Sequence, residues 1–134
     1  MSEGRVLLVD DEADIRKSVR LILSKAGYDV VEAEDGEAGV RAIKRGDNPF
    51  ALGAIICDLK MPNMGGMEAI PFFRSQFLHA PVVVLSGEVT PERARVLSKQ
   101  GVSEILSKPV NQGALLAAVK KSFDAGEWKD DIET

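Results

Sequence analysis

Cysteine occurs once in this sequence and histidine once, and no apolar run approaches the roughly 18 residues of a membrane-spanning helix. With Cys57 alone, an intrachain disulfide and any multi-cysteine metal site are excluded. Its place in the apolar run AIIC marks a buried structural thiol, because burial disfavours the thiolate. The opening residues, MSEGR, lead into only four aliphatic residues, too few for a signal-peptide core, so a cytoplasmic protein without membrane association is expected. A surplus of positive charge is also missing. The net charge is −4, and residues 124–134 account for all of it, with Asp124, Glu127, Asp130, Asp131 and Glu133 against Lys129. The first 123 residues are therefore neutral overall, which gives no electrostatic footprint for nucleic acid and leaves an acidic, solvated tail. No GxxxxGK[ST] or GxGxxG run is present to cradle a nucleotide. Internal repeats, low-complexity tracts and interdomain linkers are absent as well, so one domain is expected, over residues 1–123, with 124–134 as its tail.

What is there has the balance of a soluble globular chain, 45% hydrophobic and 28% charged, and 134 residues suffice for a real core. Five short apolar runs recur, at Arg5–Val9, Asp29–Ala33, Leu52–Cys57, Pro81–Leu85 and Val102–Ser107. Each is rich in Val, Ile or Leu and has the character of a strand buried on both faces. Helical spacing fills the intervals, with Ile15, Val19, Ile22, Leu23 and Ala26 in the first and Leu115, Leu116, Val119 and Phe123 in the last. Asp35 and Gly36 open a second helix, Thr90 and Pro91 fit an N-cap and first helical position with Gly101 as a stop, and Asn111 caps the last helix. Pro71 is tolerated only in a first turn, so its helix is expected to begin near Met67 or Glu68, or to be kinked. Five alternations of strand and helix predict an α/β fold, a doubly wound parallel sheet with helices on both faces.

In such sheets ligands sit beyond the carboxyl ends of the strands, where strand order reverses. The residues at those ends are Asp10 and Asp11 after the first strand, Asp58 after the third, Ser86 after the fourth and Lys108 after the fifth. Two carboxylates about 4 Å apart repel by about 4 kcal/mol at an effective dielectric near 20, so the acids call for a cation or a proton. A hard divalent ion such as Mg²⁺ suits this set: it takes oxygen ligands, uses one or two protein carboxylates and keeps positions open for water and phosphate oxygens. Each residue also has an ordinary role open to it. Acids after a strand cap the next helix, Asp58 and Ser86 fit turns, and Lys108 before Pro109 fits a solvated loop. Their coincidence at matching strand ends points to a site.

LLVDDE, the stretch CDLKMPNMGG around Asp58, the VLSG closing the fourth strand and the SKP containing Lys108 occur in that order. Together they resemble the receiver domain of bacterial response regulators, the CheY-like family, over about residues 4–123. The resemblance implies a single flavodoxin-like (βα)5 domain with strand order 2-1-3-4-5. It implies a phosphorelay module in which Asp58 accepts a phosphoryl group from a sensor histidine kinase or a histidine phosphotransfer protein. Asp11, Asp58 and the backbone carbonyl of Lys60 would hold Mg²⁺, with Asp10 acting mostly through a coordinated water. Lys108 would pair with the phosphoryl oxygens and the Ser86 hydroxyl would swing in to bond them. Such a module signals through protein contacts, and its only catalysis is its own phosphorylation and dephosphorylation. The fourth helix, fifth strand and fifth helix, with Arg93, Arg95, Lys99, Lys120 and Lys121, form the face through which receivers dimerise or bind outputs; a basic face is equally a solvated one.

Two positions depart from the family pattern. Ile105 stands where members usually carry Tyr or Phe three residues before the lysine, so output is expected to rely on repacking around Ser86 to Glu92. Lys60 and Glu88, each two residues beyond a site residue, would flank the phosphate entrance as an exposed ion pair. Met61, Pro62, Met64, Gly65 and Gly66 are expected to shape the loop after Asp58 rather than react. His79 is expected at the surface, without a phosphohistidine role, and Trp128 on the last helix or against a partner. Competing classes are an aspartyl-phosphate phosphatase of the haloacid dehalogenase type, which needs an acid where Lys60 stands, and a flavodoxin-like carrier or unphosphorylated receiver. The acidic ending without a second domain favours a stand-alone protein.

Overall fold

The computed structural model describes residues 2–76 and 80–133, with side chains described for residues 2–75 and 80–124. His79 and the side chain of Trp128 lie outside them. In chain order the elements are β1 (Gly4–Val9), α1 (Ala13–Lys25), β2 (Tyr28–Ala33), α2 (Gly36–Ile43), α3 (Asn48–Ala51), β3 (Leu52–Asp58), α4 (Gly66–Gln76), β4 (Val82–Ser86), α5 (Pro91–Lys99), β5 (Val102–Ser107) and α6 (Gln112–Glu133). All strand pairings are parallel and the order is β2-β1-β3-β4-β5, as the family resemblance implies. Strand order therefore reverses between β1 and β3.

Alternation along the central strands divides the core into two layers. Leu7, Val9, Ile55, Cys57, Val82 and Val84 pack beneath α2, α4 and α5 through Ile43, Ile70, Phe73 and Leu97. Val6, Leu8, Ala54, Ile56, Val83 and Leu85 face α1 and α6 through Val19, Leu23, Leu115 and Val119. Cys57 is fully buried, and burial raises its thiol pKa, in keeping with a structural role. β1, β3 and β4 are the doubly buried strands. β2 and β5 differ from expectation: as sheet edges they are only partly covered, and Asp29, Glu32, Ser103 and Glu104 occupy positions that doubly buried strands fill with aliphatic residues.

α3 is a single turn with Pro49 in its first positions, and it makes the expected fourth and fifth helices α5 and α6. Arg5 ties this turn to β1 through Asp47 (2.6 Å) and Asn48 (3.0 Å), while Asn48 donates to the Ala42 carbonyl at 2.7 Å. α4 starts at Gly66, one residue before the earliest expected start, which leaves Pro71 inside the helix beyond its first turn. α6 continues past position 123 into the acidic segment. At the amino end of the sheet the Phe123 ring stacks on Tyr28, with centroids 5.4 Å apart. A Cβ at Gly4 or Gly53 would collide with that ring, so these glycines form its seat. Among the described residues no helix is long and apolar enough to cross a membrane.

Candidate functional site

The carboxyl ends of β1, β3, β4 and β5 open into a cleft of about 510 Å³ lined by Asp11, Glu12, Asp58, Lys60, Ser86, Glu88, Arg93 and Lys108, among others. Parallel pairing sets this convergence, because β3–β4 register places Asp58 opposite Leu85 and β4–β5 register places Ser86 opposite Ser107. Asp58 is 4% exposed and Asp10 1% exposed, each just past a run of apolar residues that fills both core layers. The Asp58 Oδ1 accepts the Leu59 N–H at 2.7 Å, and Asp10 Oδ1 accepts the Glu12 N–H at 2.9 Å. One oxygen of each acid is thus fixed by backbone, leaving the other to face Lys108.

The Lys108 Nζ lies 3.1 Å from Asp58 Oδ2, 3.1 Å from Asp10 Oδ2 and 3.0 Å from Glu12 Oε1. Its peptide bond to Pro109 is cis, and its own N–H donates to the Ser86 carbonyl at 2.9 Å. Burial by itself would lower the ammonium pKa, but Glu12, Asp10 and Asp58 outweigh it and hold Lys108 above the usual lysine value. Burial raises the pKa of Asp10, opposed by the Glu12 N–H and the Lys108 ammonium and reinforced by the Asp58 charge. Asp10 Oδ2 has no hydrogen-bond partner despite the nearby ammonium, so that contact is ionic and the buried oxygen keeps acceptor capacity.

Asp10, Asp11, Glu12 and Asp58 each bring a carboxylate oxygen within 4.8 Å of the others. With an under-used buried oxygen among them, this all-oxygen set fits a small hard divalent cation. The Lys60 carbonyl takes no backbone hydrogen bond among the described residues, and Lys60 lines the same cleft. Ser86 Oγ donates to the Glu88 carbonyl at 3.1 Å and accepts the Glu88 N–H at 3.3 Å, which holds the hydroxyl in the β4–α5 loop.

The structure thus brings Asp10, Asp11, Asp58, Lys60, Ser86 and Lys108 to one rim. One expectation needs correction: Lys60 and Glu88 both line the cleft, but no ion pair joins them among the described residues. Ile105 is partly buried and packs against the core layer under α5. Sequence reasoning missed Arg16, whose guanidinium donates to the Asp10 carbonyl at 2.7 Å and pairs with Glu32 at 3.3 Å. It missed Arg93 as a cleft residue and Glu12 as a lysine partner. It also missed a bond from Asn63 Nδ2 to Asp35 Oδ2 at 2.8 Å. The signal there was an Asn between Pro62 and two glycines, a residue type that accepts positive φ; Asn63 has φ 64°.

Comparison with known proteins bears on the family and the fold. Residues 6–120 match the response regulator receiver domain family. Among solved structures, a CheY-like receiver domain protein from Methanospirillum hungatei is 26% identical with a TM-score of 0.88, covering 96% of this chain and 99% of that one. The chemotaxis protein CheY4 of Vibrio cholerae is 32% identical with a TM-score of 0.80, covering 89% and 98%. The transcriptional regulatory protein GlrR of Escherichia coli is 31% identical across 98% of this chain, which spans 30% of that protein. The CAI-1 autoinducer sensor kinase/phosphatase CqsS of Vibrio cholerae is 28% identical across 87% of this chain, which spans 17% of it.

Proposed function

The chain belongs to the response regulator receiver domain family, and we propose that Asp58 accepts a phosphoryl group from a phosphohistidine of a sensor kinase or histidine phosphotransfer protein. A carboxylate oxygen of Asp58 bonds to phosphorus as the phosphorus–nitrogen bond breaks, and the imidazole nitrogen departs with the electron pair and takes up a proton. A carboxylate needs no general base for this, so the work of the site is positioning and charge neutralisation. Asp11, Asp58 and the Lys60 carbonyl would hold Mg²⁺, with Asp10 acting through a coordinated water. Bound there, Mg²⁺ would supply positive charge to neutralise that of the phosphoryl oxygens. Lys108 then exchanges part of its carboxylate cage for those oxygens, and the Ser86 hydroxyl leaves the Glu88 carbonyl to donate to them. Hydrolysis of the acyl phosphate resets the module.

The observation that carries this reading is a nearly buried carboxylate at the floor of an open cleft, 3.1 Å from an ammonium and beside further acids. The signal would pass through protein contacts, with α5, β5 and α6 as the surface for an output protein or a second copy. Incubation with acetyl phosphate and Mg²⁺, followed by intact mass measurement, tests the acceptor. Wild type should gain about 80 Da, one phosphoryl unit, and Asp58→Ala should gain nothing. No gain in wild type, or an equal gain in the variant, would overturn the assignment.

A further inference from the structure

We infer that the Asp35–Asn63 bond is a latch that positions the Lys60 carbonyl, making Asp35 and Asn63 positioning residues for the divalent cation. This rests on the metal-binding reading above and adds to it two residues outside the cleft.

The loop from Leu59 to Gly65 is tied by hydrogen bonds to its surroundings at two places; between them Met61 packs against the core and the Pro62 carbonyl accepts the Met64 N–H at 2.7 Å. At its base, Leu59 donates to Asp58 Oδ1 at 2.7 Å and Gly66 donates to the Leu59 carbonyl at 2.9 Å. At its tip it meets the amino end of α2: Gly36 donates to the Met64 carbonyl at 2.9 Å, and Asn63 Nδ2 donates to Asp35 Oδ2 at 2.8 Å. A Cβ at Gly36 would lie 2.5 Å from the Met64 carbonyl oxygen, so the approach there requires glycine. Lys60, Met61 and Pro62 span the interval, so the Lys60 carbonyl takes its place from the anchors on either side of it. Asp35 divides its oxygens: Oδ1 caps α2 through the Ala38 N–H at 2.8 Å, and Oδ2 holds the loop. The α2 helix thereby sets the height of a backbone oxygen that it never touches.

The two functions of Asp35 can be separated. Asn63→Gly removes the latch while keeping a residue suited to φ 64°, and it leaves the α2 cap intact. Asp35→Asn keeps the cap and lets the Asn63 amide turn its oxygen toward the new NH₂. Binding of Mn²⁺ alone to the unphosphorylated full chain, read by electron paramagnetic resonance, distinguishes them. Asn63→Gly should bind about tenfold more weakly, the scale of losing a group that orients a ligand. Asp35→Asn should bind close to wild type, and the thermal midpoint of Asn63→Gly should be close to wild type. Wild-type Mn²⁺ affinity in Asn63→Gly would overturn the latch while leaving the metal site standing. Failure of the wild-type chain to bind Mn²⁺ at all would instead bring down the metal reading and the latch with it.

Discussion

Lys108 occupies a demanding position. Three carboxylates surround its ammonium, and two of them, Asp10 and Asp58, are nearly buried. Removing the cation would leave those oxygens facing one another without compensation. Lys108→Met should therefore lower stability by about 1–3 kcal/mol in urea unfolding, and millimolar Mg²⁺ should recover part of the loss by supplying another cation. Asp35 gives a pH-dependent effect of known sign. The Ala38 N–H and then the Asn63 amide hold its pKa below the ordinary value of 3.8, so the native state grips its proton less tightly than the unfolded chain. Its stabilisation is complete above that value and disappears as pH falls below it through the folded pKa. Asp35→Ala should cost about 1–2 kcal/mol at pH 7, and the gap from wild type should narrow at pH 3. At this scale the sequence disclosed the residues one step from a strand end, since a parallel sheet converts that position into a location. Arg16, Arg93 and the Asp35–Asn63 contact stayed hidden because each depends on where a helix or loop comes to rest. Asp35 was visible only in its local role, as the cap of α2.

Elements were legible where one physical signal dominated. Thr90 followed by Pro91 predicted the start of α5, and Thr90 does accept the Arg93 N–H at 3.2 Å. Five apolar runs predicted five strands, yet composition could not separate edge from centre, because β2 and β5 contain Val, Ile or Leu as the buried strands do. α3 escaped notice as a single turn too short for any period, fixed by the tertiary contacts of Arg5 with Asp47 and Asn48. Pro71 illustrates the opposite case, in which a local rule gave way: the helix starts earlier and absorbs one missing backbone donor at an exposed position, while Ile70 and Phe73 hold its other face in the core. The docking of α6 is testable at the same scale. A methyl group at Gly53 would invade the seat of Phe123, so Gly53→Ala should destabilise by about 1–3 kcal/mol. Pairing it with Phe123→Ala should cost less than the sum of the two single changes, because the ring that clashes is then gone.

For the whole molecule, strand order does what no single residue can: it brings groups separated by almost a hundred positions, from Asp10 to Lys108, onto one ion-pair network. The order itself came from family resemblance, since alternation alone predicts a parallel sheet and leaves its permutation open. A beryllofluoride-bound crystal structure would show how the network rearranges. Ser86 Oγ should leave the Glu88 carbonyl and the segment from Ser86 to Glu92 should shift, with Ile105 keeping its place in the core; an unmoved segment would contradict the expected repacking.

β3 holds Asp58 at one end and, at Gly53 near the other, the seat of the Phe123 ring. Those points are about 17 Å apart at roughly 3.3 Å per residue, with no turn or hinge in between. The strand is therefore a strut with the chemistry at its head and the bearing of the last helix at its foot. If Asp58 is esterified as proposed above, strain at the head has a single unbroken piece of backbone along which to reach α6.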